Sequence, residues 1–504
     1  MTMLRPWNLK LELQKDADQA IYLQIAQKII DEIQTGRLPP SSVMPGTREL
    51  ARTLNVNRKT TVLAYEELIS QGWLATEKRR GTFVAENLGS IPGFNAQSRL
   101  AEDEKESLAH TRPLMDAEIE HFRQASWVDF TEATADNRLT PLETFARAFR
   151  KALLVATRSN HQLNNPQGYQ ALRSAIAAMV NMEKNFRIDA EQVCVLSSSQ
   201  MAIFILARVL GRPGDCVVFE RLSNPLSRQA FESCGARLEY VDIDRHGLDI
   251  EQIASLASEQ KIRAVYVTPQ HQFPTTVMMS QERRQELYRL AELHDFYIIE
   301  DDREHESYFD ETLPFPIASL DNSERTIYLG SLSSVLSPAL QISYLIGGRD
   351  LIAQCKAEKK LIDCQNKQLF EYAVAELIAS GEIQRQRRKL GRVFAERRQL
   401  MQELLRQELG QQVDFDMPRG GLAYWLRFRQ PVDMQALARH ALEEKVKFSQ
   451  GSEYSPDKSD VQAVRLGFAN LNQTELTSGL KRFKRALMTS LLTMMFVVYE
   501  PLMS

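Results

Sequence analysis

The sequence predicts an α/β protein in two parts: a small helical domain, then a large domain on a mostly parallel sheet with a smaller C-terminal α+β portion. Three observations predict it. Near the N-terminus Ile21, Ile25, Ile29 and Ile33 recur every four residues among polar neighbours, the period of an amphipathic helix. From Val128 onward, β-branched apolar runs (VCVLSSSQ, DCVVFE, IRAVYVTP, FYIIEDD, TIYLGSLS) alternate with helical stretches, the pattern of βαβ units. The chain has 504 residues, enough at roughly 100–200 per domain for one small domain and one enzyme-sized one. Hydrophobic residues at 43% and charged residues at 25% exclude a mainly disordered, collagenous or coiled-coil chain.

The five cysteines (Cys194, Cys216, Cys234, Cys355, Cys364) are an odd number without a Cys-x-x-Cys pair, which argues against a disulfide framework and a zinc site. The first residues lack an apolar signal-peptide core, so a cytoplasmic location is expected. The uncharged run Ala486–Tyr499 follows Lys481, Arg482, Lys484 and Arg485 and is shorter than the about 20 residues a membrane span needs. It is expected to pack as a terminal helix or strand on the protein or a partner subunit, with a peripheral membrane contact as the alternative.

The first helix should stop at Gly36, ahead of Pro39 and Pro40. A short helix is expected over Thr47–Leu54 with Thr47 as its cap, and after the Asn55–Asn57 break a second over Arg58–Gln71 that buries Val62, Tyr65, Leu68 and Ile69. Two helices joined by so short a turn form a helix-turn-helix, whose second helix can enter the major groove. Trp73–Thr76 and Thr82–Val84 flank Lys78, Arg79, Arg80 and Gly81, a hairpin with a cationic tip, or wing. Net charge over the chain is only −3, but between residues 37 and 81 Arg37, Arg48, Arg52, Arg58, Lys59, Lys78, Arg79 and Arg80 outnumber Glu49, Glu66, Glu67 and Glu77. Arg58, Lys59 and Thr60 at the start of the second helix would meet base edges and phosphates of double-stranded DNA, with the wing arginines on a neighbouring groove or backbone. The string from IYLQIAQKII to EKRRGTFVAE resembles the GntR-type winged helix over its full length. The resemblance implies DNA contacts for Arg48, in PGTREL, and for Arg58, and makes Gly81 the wing glycine.

These readings divide the chain into a DNA-binding domain over 1–86, a linker over 87–127 and a large domain over 128–504. NNPQGYQALRSAIAAMV, VCVLSSSQMAIFILARVLGRPGD, YVTPQHQFPTTVMMSQERRQELYRLAELHDFYIIEDD and AVRLGFANL resemble the fold type I aminotransferases, most of all the MocR-type regulators that fuse a GntR winged helix to such a domain. That family holds pyridoxal phosphate as an imine on a lysine, because only an amine forms the imine. The matching string here is GSLSSVLSPALQISY, which puts Ser334 at the lysine position and Gln341 at that of the phosphate-pairing arginine. No lysine stands between Lys261 and Lys356, so a shift of one or two residues does not restore the site.

The resemblance gives Asp301 the role of pairing with a pyridine nitrogen and puts Arg303 where a tyrosine is usual. It places the ring-stacking aromatic near Asn224, the phosphate loop at Ser197, Ser198, Ser199 and Gln200, and a carboxylate clamp at Arg465. Losing imine, arginine and ring removes contributions of about 1.5–3 kcal/mol for each charged contact and a covalent bond besides, so no covalent cofactor is expected. The expected protein is a homodimeric, DNA-binding transcription regulator, without catalytic residues, whose degenerate domain takes a small anionic or amino-acid effector. An aminotransferase-type enzyme and a constitutive DNA-binding dimer are the alternatives, and pairing of Arg303 with Asp301 would close the pocket to the pyridine ring.

Overall fold

The computed structural model describes residues 13, 19–77, 80–86, 88, 127–131, 134–156, 165–303, 309, 314–321, 323–337, 340–363 and 367–499, with the backbone alone for 493–499. The chain forms two compact units, 1–120 and 121–504. Lys78, Arg79, Cys364 and, save for Leu88 and Trp127, the expected linker lie outside the described residues.

In the first unit, α1 (Ile21–Gln34) buries Ile25, Ile29, Ile30 and Ile33. Gly36 then turns the chain at φ +77°, a left-handed conformation that glycine adopts without steric cost. α2 (Thr47–Thr53) is capped by Gly46, so Thr47 is its first helical residue and not its cap. α3 (Arg58–Ser70) is capped by Asn57, whose side chain accepts a hydrogen bond from the Lys59 amide at 2.9 Å. The buried stripe of α3 is Thr61, Ala64, Tyr65 and Leu68. It runs one residue away from the expected one: Val62 is half-buried and Ile69 is 39% exposed. Thr61 takes the inner position because its hydroxyl finds partners there, the carbonyls of Thr47 and Arg58, each at 2.9 Å. β1 (Leu74–Glu77) and β2 (Gly81–Val84) pair antiparallel as the wing.

The second unit centres on a seven-stranded sheet. In chain order its strands are β3 (Val193–Leu196), β4 (Cys216–Glu220), β5 (Arg237–Val241), β6 (Ile262–Val267), β7 (Tyr297–Asp302), β8 (Thr326–Ser331) and β9 (Ser343–Ile346). Their spatial order is β3-β9-β8-β7-β6-β4-β5, and only β9 runs antiparallel to its neighbours. Helices cover both faces, so most strands read as continuous apolar runs. Along β3, Val193 and Val195 enter one core while Cys194 and Leu196 enter another, the two-residue alternation of a pleated strand. The same alternation turns Asp301 to one face of β7 and Glu300 and Asp302 to the other.

The C-terminal part is a four-stranded antiparallel sheet that includes β10 (Ala423–Phe428) and β11 (Ala463–Gly467), packed on the helices Glu382–Leu409, Met434–Glu443 and Gln473–Tyr499. Val128–Asp129 pairs with Val446–Lys447, so the start of this unit closes onto its end. Gly479 permits that closure: a Cβ there would lie 2.6 Å from Val128 and 2.7 Å from Phe130. The last helix buries Ala486 and Leu487, and Ser490 meets His440 Nδ1 at 3.0 Å, so the apolar tail packs on its own unit at least that far. Among the described residues, no helix is long and apolar enough to cross a membrane.

Candidate functional site

The first candidate surface lies on the helix-turn-helix. The Thr61 hydroxyl and the Tyr65 hydroxyl, which donates to the Pro45 carbonyl at 2.8 Å, fasten α3 to the segment that opens α2. Arg48, Arg58 and Lys59 all project as exposed residues, and Thr60 is half-buried. The wing differs from expectation in one respect. Arg80 pairs with Glu77 at 2.6 Å and stacks over Phe83, 5.5 Å from its centroid, so its charge is partly answered within the hairpin. The pair is exposed and weak, and a phosphate can displace it. Gly81 sits at φ +114°, a conformation that excludes ordinary side chains although a Cβ would meet nothing within 4 Å.

The second candidate is a pair of adjoining cavities at the carboxyl ends of the sheet strands. One, about 390 Å³, is lined by Ser198, Ser199, Gln200, Asn224, Arg303, Ser331, Ser333, Ser334 and Gln341 among others. The other, about 200 Å³, is lined by Asn224, Thr268, His271, Phe273, Asp301, Asp302 and Arg303. Asn224 and Arg303 belong to both. Among the described residues, no lysine lines either cavity.

Asp301 is almost fully enclosed. Arg303 Nε donates to its Oδ1 at 2.9 Å, an Arg303 terminal nitrogen reaches Oδ2 at 2.6 Å, and the Tyr266 hydroxyl donates to Oδ2. Burial raises the Tyr266 phenol, and the Asp301 carboxylate adds to the effect, so the phenol stays a donor. The pair anticipated between Arg303 and Asp301 is therefore formed. On the other face of β7, Asp302 holds the buried Lys184 at 3.2 Å beside the Tyr328 hydroxyl. This triad had no motif in the sequence to announce it.

The serine loop is also internally engaged. Ser198 caps α4 (Ser199–Leu210) by accepting from the Met201 amide at 3.1 Å, Ser199 Oγ meets Ser343 Oγ at 2.8 Å, and Gln200 donates to the Leu226 carbonyl at 3.1 Å. Asn224 caps the next helix, Pro225–Ser233, through a bond from the Leu226 amide. Asn224 is no aromatic, and the ring that lines the smaller cavity is Phe273. Ser334 Oγ is buried with no hydrogen-bond partner among the described residues. Arg465, on β11, is 3% exposed with its guanidinium 4.6 Å from the Phe273 centroid, one layer behind the cavity wall. The structure thus gathers Ser198, Ser199, Gln200, Asp301, Arg303 and Ser334 round one space and sets Arg465 at its back.

Two carboxyls behind the site missed by sequence reasoning are Glu220 and Glu300. Both are fully buried, and burial pushes each up to about 7. Glu220 accepts from Thr268 at 2.7 Å and Gln272 at 3.1 Å, which opposes the shift, while the charge of Asp301 adds to it. A larger cavity, about 720 Å³, lies apart from these residues, between Asp244–His246, Thr275–Gln281 and Asp416–Arg419. Its carboxylates are answered locally, Asp244 by Arg283 and Asp416 by Arg427, so size alone marks it.

With this geometry in place, similarity to known proteins can be read. Residues 131–483 match the family described as Aminotransferase class I and II. The chain belongs to that family. Residues 21–84 match Bacterial regulatory proteins, gntR family, so a GntR-type helix-turn-helix is fused to the aminotransferase domain. Over 462 residues, 91% of this chain and 94% of its own length, an uncharacterized HTH-type transcriptional regulator of Bacillus subtilis, YdfD, is 26% identical. The probable rhizopine catabolism regulatory protein MocR of Rhizobium meliloti is 27% identical over 94% of this chain and 95% of its own. The crystal structure of LysN, the α-aminoadipate aminotransferase of Thermus thermophilus, complexed with N-(5'-phosphopyridoxyl)-L-leucine, superposes with a TM-score of 0.68 at 26% identity, covering 73% of this chain and 94% of that one. The aminotransferase family implies pyridoxal phosphate as its cofactor.

Proposed function

We propose that the protein is a DNA-binding transcription regulator whose aminotransferase-fold domain has exchanged lysine-linked cofactor chemistry for noncovalent binding of a small anion. The observation that carries this reading is the serine-lined cavity, with Ser334 where the resemblance calls for a lysine, Gln341 where it calls for an arginine, and Arg303 on the wall. These residues do not fit a covalently held pyridoxal phosphate. A serine forms no imine, Gln341 is neutral, and Asp301 already receives donors from Arg303 and Tyr266, so a pyridine nitrogen would have to displace them. A small dicarboxylate or phosphorylated metabolite fits better: the α4 N-terminus offers aligned amides and Arg303, though held by Asp301, adds a positive charge to the wall. Arg465 is assigned a supporting part behind Phe273. Homodimers would let two winged helices read paired half-sites, with Arg48, Arg58, Lys59 and Thr60 on the duplex and Arg79, Arg80 and Gly81 in the wing.

The test is spectroscopic and calorimetric. Purified protein reduced with borohydride as isolated should carry no pyridoxyl adduct by mass spectrometry, and an adduct on any lysine would defeat the exchange. Inorganic phosphate and small dicarboxylates should raise Tm in the wild type and fail to do so in Arg303→Met. Equal shifts in both proteins would remove Arg303 from the site. No shift at all would favour a large domain that serves only as a dimer scaffold, a reading the closed Asp301–Arg303 pair also accommodates.

A further inference from the structure

The recognition helix carries an apolar residue on its outward face. Leu63 is 48% exposed, while the buried stripe of α3 runs through Thr61, Ala64, Tyr65 and Leu68. At 100° per residue, Leu63 shares the outer face with Lys59, one turn before it, and Glu66, one turn after. The charges bound what this face can touch. Arg58 and Lys59 draw the first turns of α3 to phosphates, and Glu66 and Glu67 repel them farther along. Leu63 lies between the two, near the middle of α3. A leucine gains nothing from phosphate, sugar hydroxyl or base heteroatom. The apolar feature that the major groove displays is the C5 methyl of thymine.

We propose that Leu63 reads a thymine methyl group in each half-site, with half-buried Val62 beside it extending the apolar contact. The proposal rests on the DNA-binding reading of the first unit and names part of what that unit recognises. Burying a methyl is worth about 0.8 kcal/mol, which converts to roughly fourfold in affinity. Leu63 fills no core space, and alanine is the stronger helix former, so Leu63→Ala keeps the fold.

The experiment uses the full chain. Duplexes bound by the wild type are selected from a random pool, and each thymine of the enriched sequence is then replaced in turn by deoxyuridine, which lacks only the methyl. At one thymine per half-site the replacement should weaken wild-type binding about fourfold, leave Leu63→Ala unaffected and still weaken Leu63→Met. If a sequence is enriched but every deoxyuridine replacement acts equally on wild type and Leu63→Ala, or if it contains no thymine, Leu63 does not read a methyl while the unit remains a DNA reader. If no sequence is enriched, the DNA-reading assignment fails and takes the proposal with it.

Discussion

Arg58 and Arg303 stand at the two candidate sites, and the protein treats them in opposite ways. Arg58 opens α3 as an exposed side chain at a helix end that Asn57 caps, so folding leaves its charge in water for a partner to meet. Arg303 follows a central strand and is held against Asp301, whose side chain is 2% exposed, inside a network with Tyr266. A surface cation serves recognition at little structural cost, whereas a cation beside a buried carboxylate is part of the fold before it is part of any site. The difference separates stability from binding, and substitution at each position can break it.

The largest effect is expected at Arg303. Arg303→Met removes the cation from a buried carboxylate and should destabilise the large unit by about 3 kcal/mol, read as a lower urea midpoint at unchanged m-value. An unchanged midpoint would mean that Tyr266 and the backbone satisfy Asp301 alone, and the contrast with Arg58 would collapse. Arg58→Ala should do the reverse, leaving the midpoint in place while lowering specific DNA affinity by about 1–3 kcal/mol and relaxing sequence preference. A loss of stability in Arg58→Ala would show that the helix end is structural.

That contrast also explains what could be read from the sequence. Exposed features follow local rules: the isoleucine period, the glycine stop at Gly36 and the cationic start of α3 all stand where propensity and periodicity put them. The order of strands and helices was legible for the same reason, since each segment reports its own burial. What escaped depends on partners distant in sequence. Thr61 looks like a surface residue until the Thr47 carbonyl arrives from α2, and its burial moves the stripe away from Val62 and Ile69. The Arg80–Glu77 pair in the wing, the Lys184–Asp302–Tyr328 triad and the Val128–Val446 pairing likewise come from tertiary approach that no motif encodes. Arg465 was matched by its string, yet its place behind Phe273 is a matter of packing.

Glu220 sharpens the cavity side of the comparison. Its carboxyl is pushed from the ordinary 4.5 up to about 7, chiefly by burial. Between those values the native state holds a proton that the unfolded chain has released, so stability falls as pH rises. The contribution is complete below about 4.5 and lost above about 7, at up to about 1.4 kcal/mol per pH unit between them. Glu220→Gln should flatten the pH dependence of the unfolding free energy over that window relative to the wild type. Glu300, shifted in the same direction, would retain its own share. Parallel profiles for variant and wild type would mean that Glu220 ionises in place without penalty.

The smallest effect tests whether the recognition surface is as independent of the fold as Arg58 suggests. Thr61→Val keeps the shape of a buried side chain and removes the hydroxyl that lies 2.9 Å from the Thr47 and Arg58 carbonyls. A bond of this kind contributes about 1 kcal/mol net, and the first unit should lose that much stability. Its consequence for recognition follows from geometry. The bond to Thr47 spans from α3 to α2, and the residues beside its two ends include Arg48 and Arg58, so slackening it lets those arginines drift relative to one another. Phosphate attraction tolerates such drift, whereas readout of base edges does not. Thr61→Val should therefore lose several-fold in affinity for the selected duplex and almost nothing for a random one, measured side by side at one salt concentration. An equal loss on both duplexes would make Thr61 an ordinary core residue and leave Tyr65, through Pro45, as the bond that sets the spacing of the two helices.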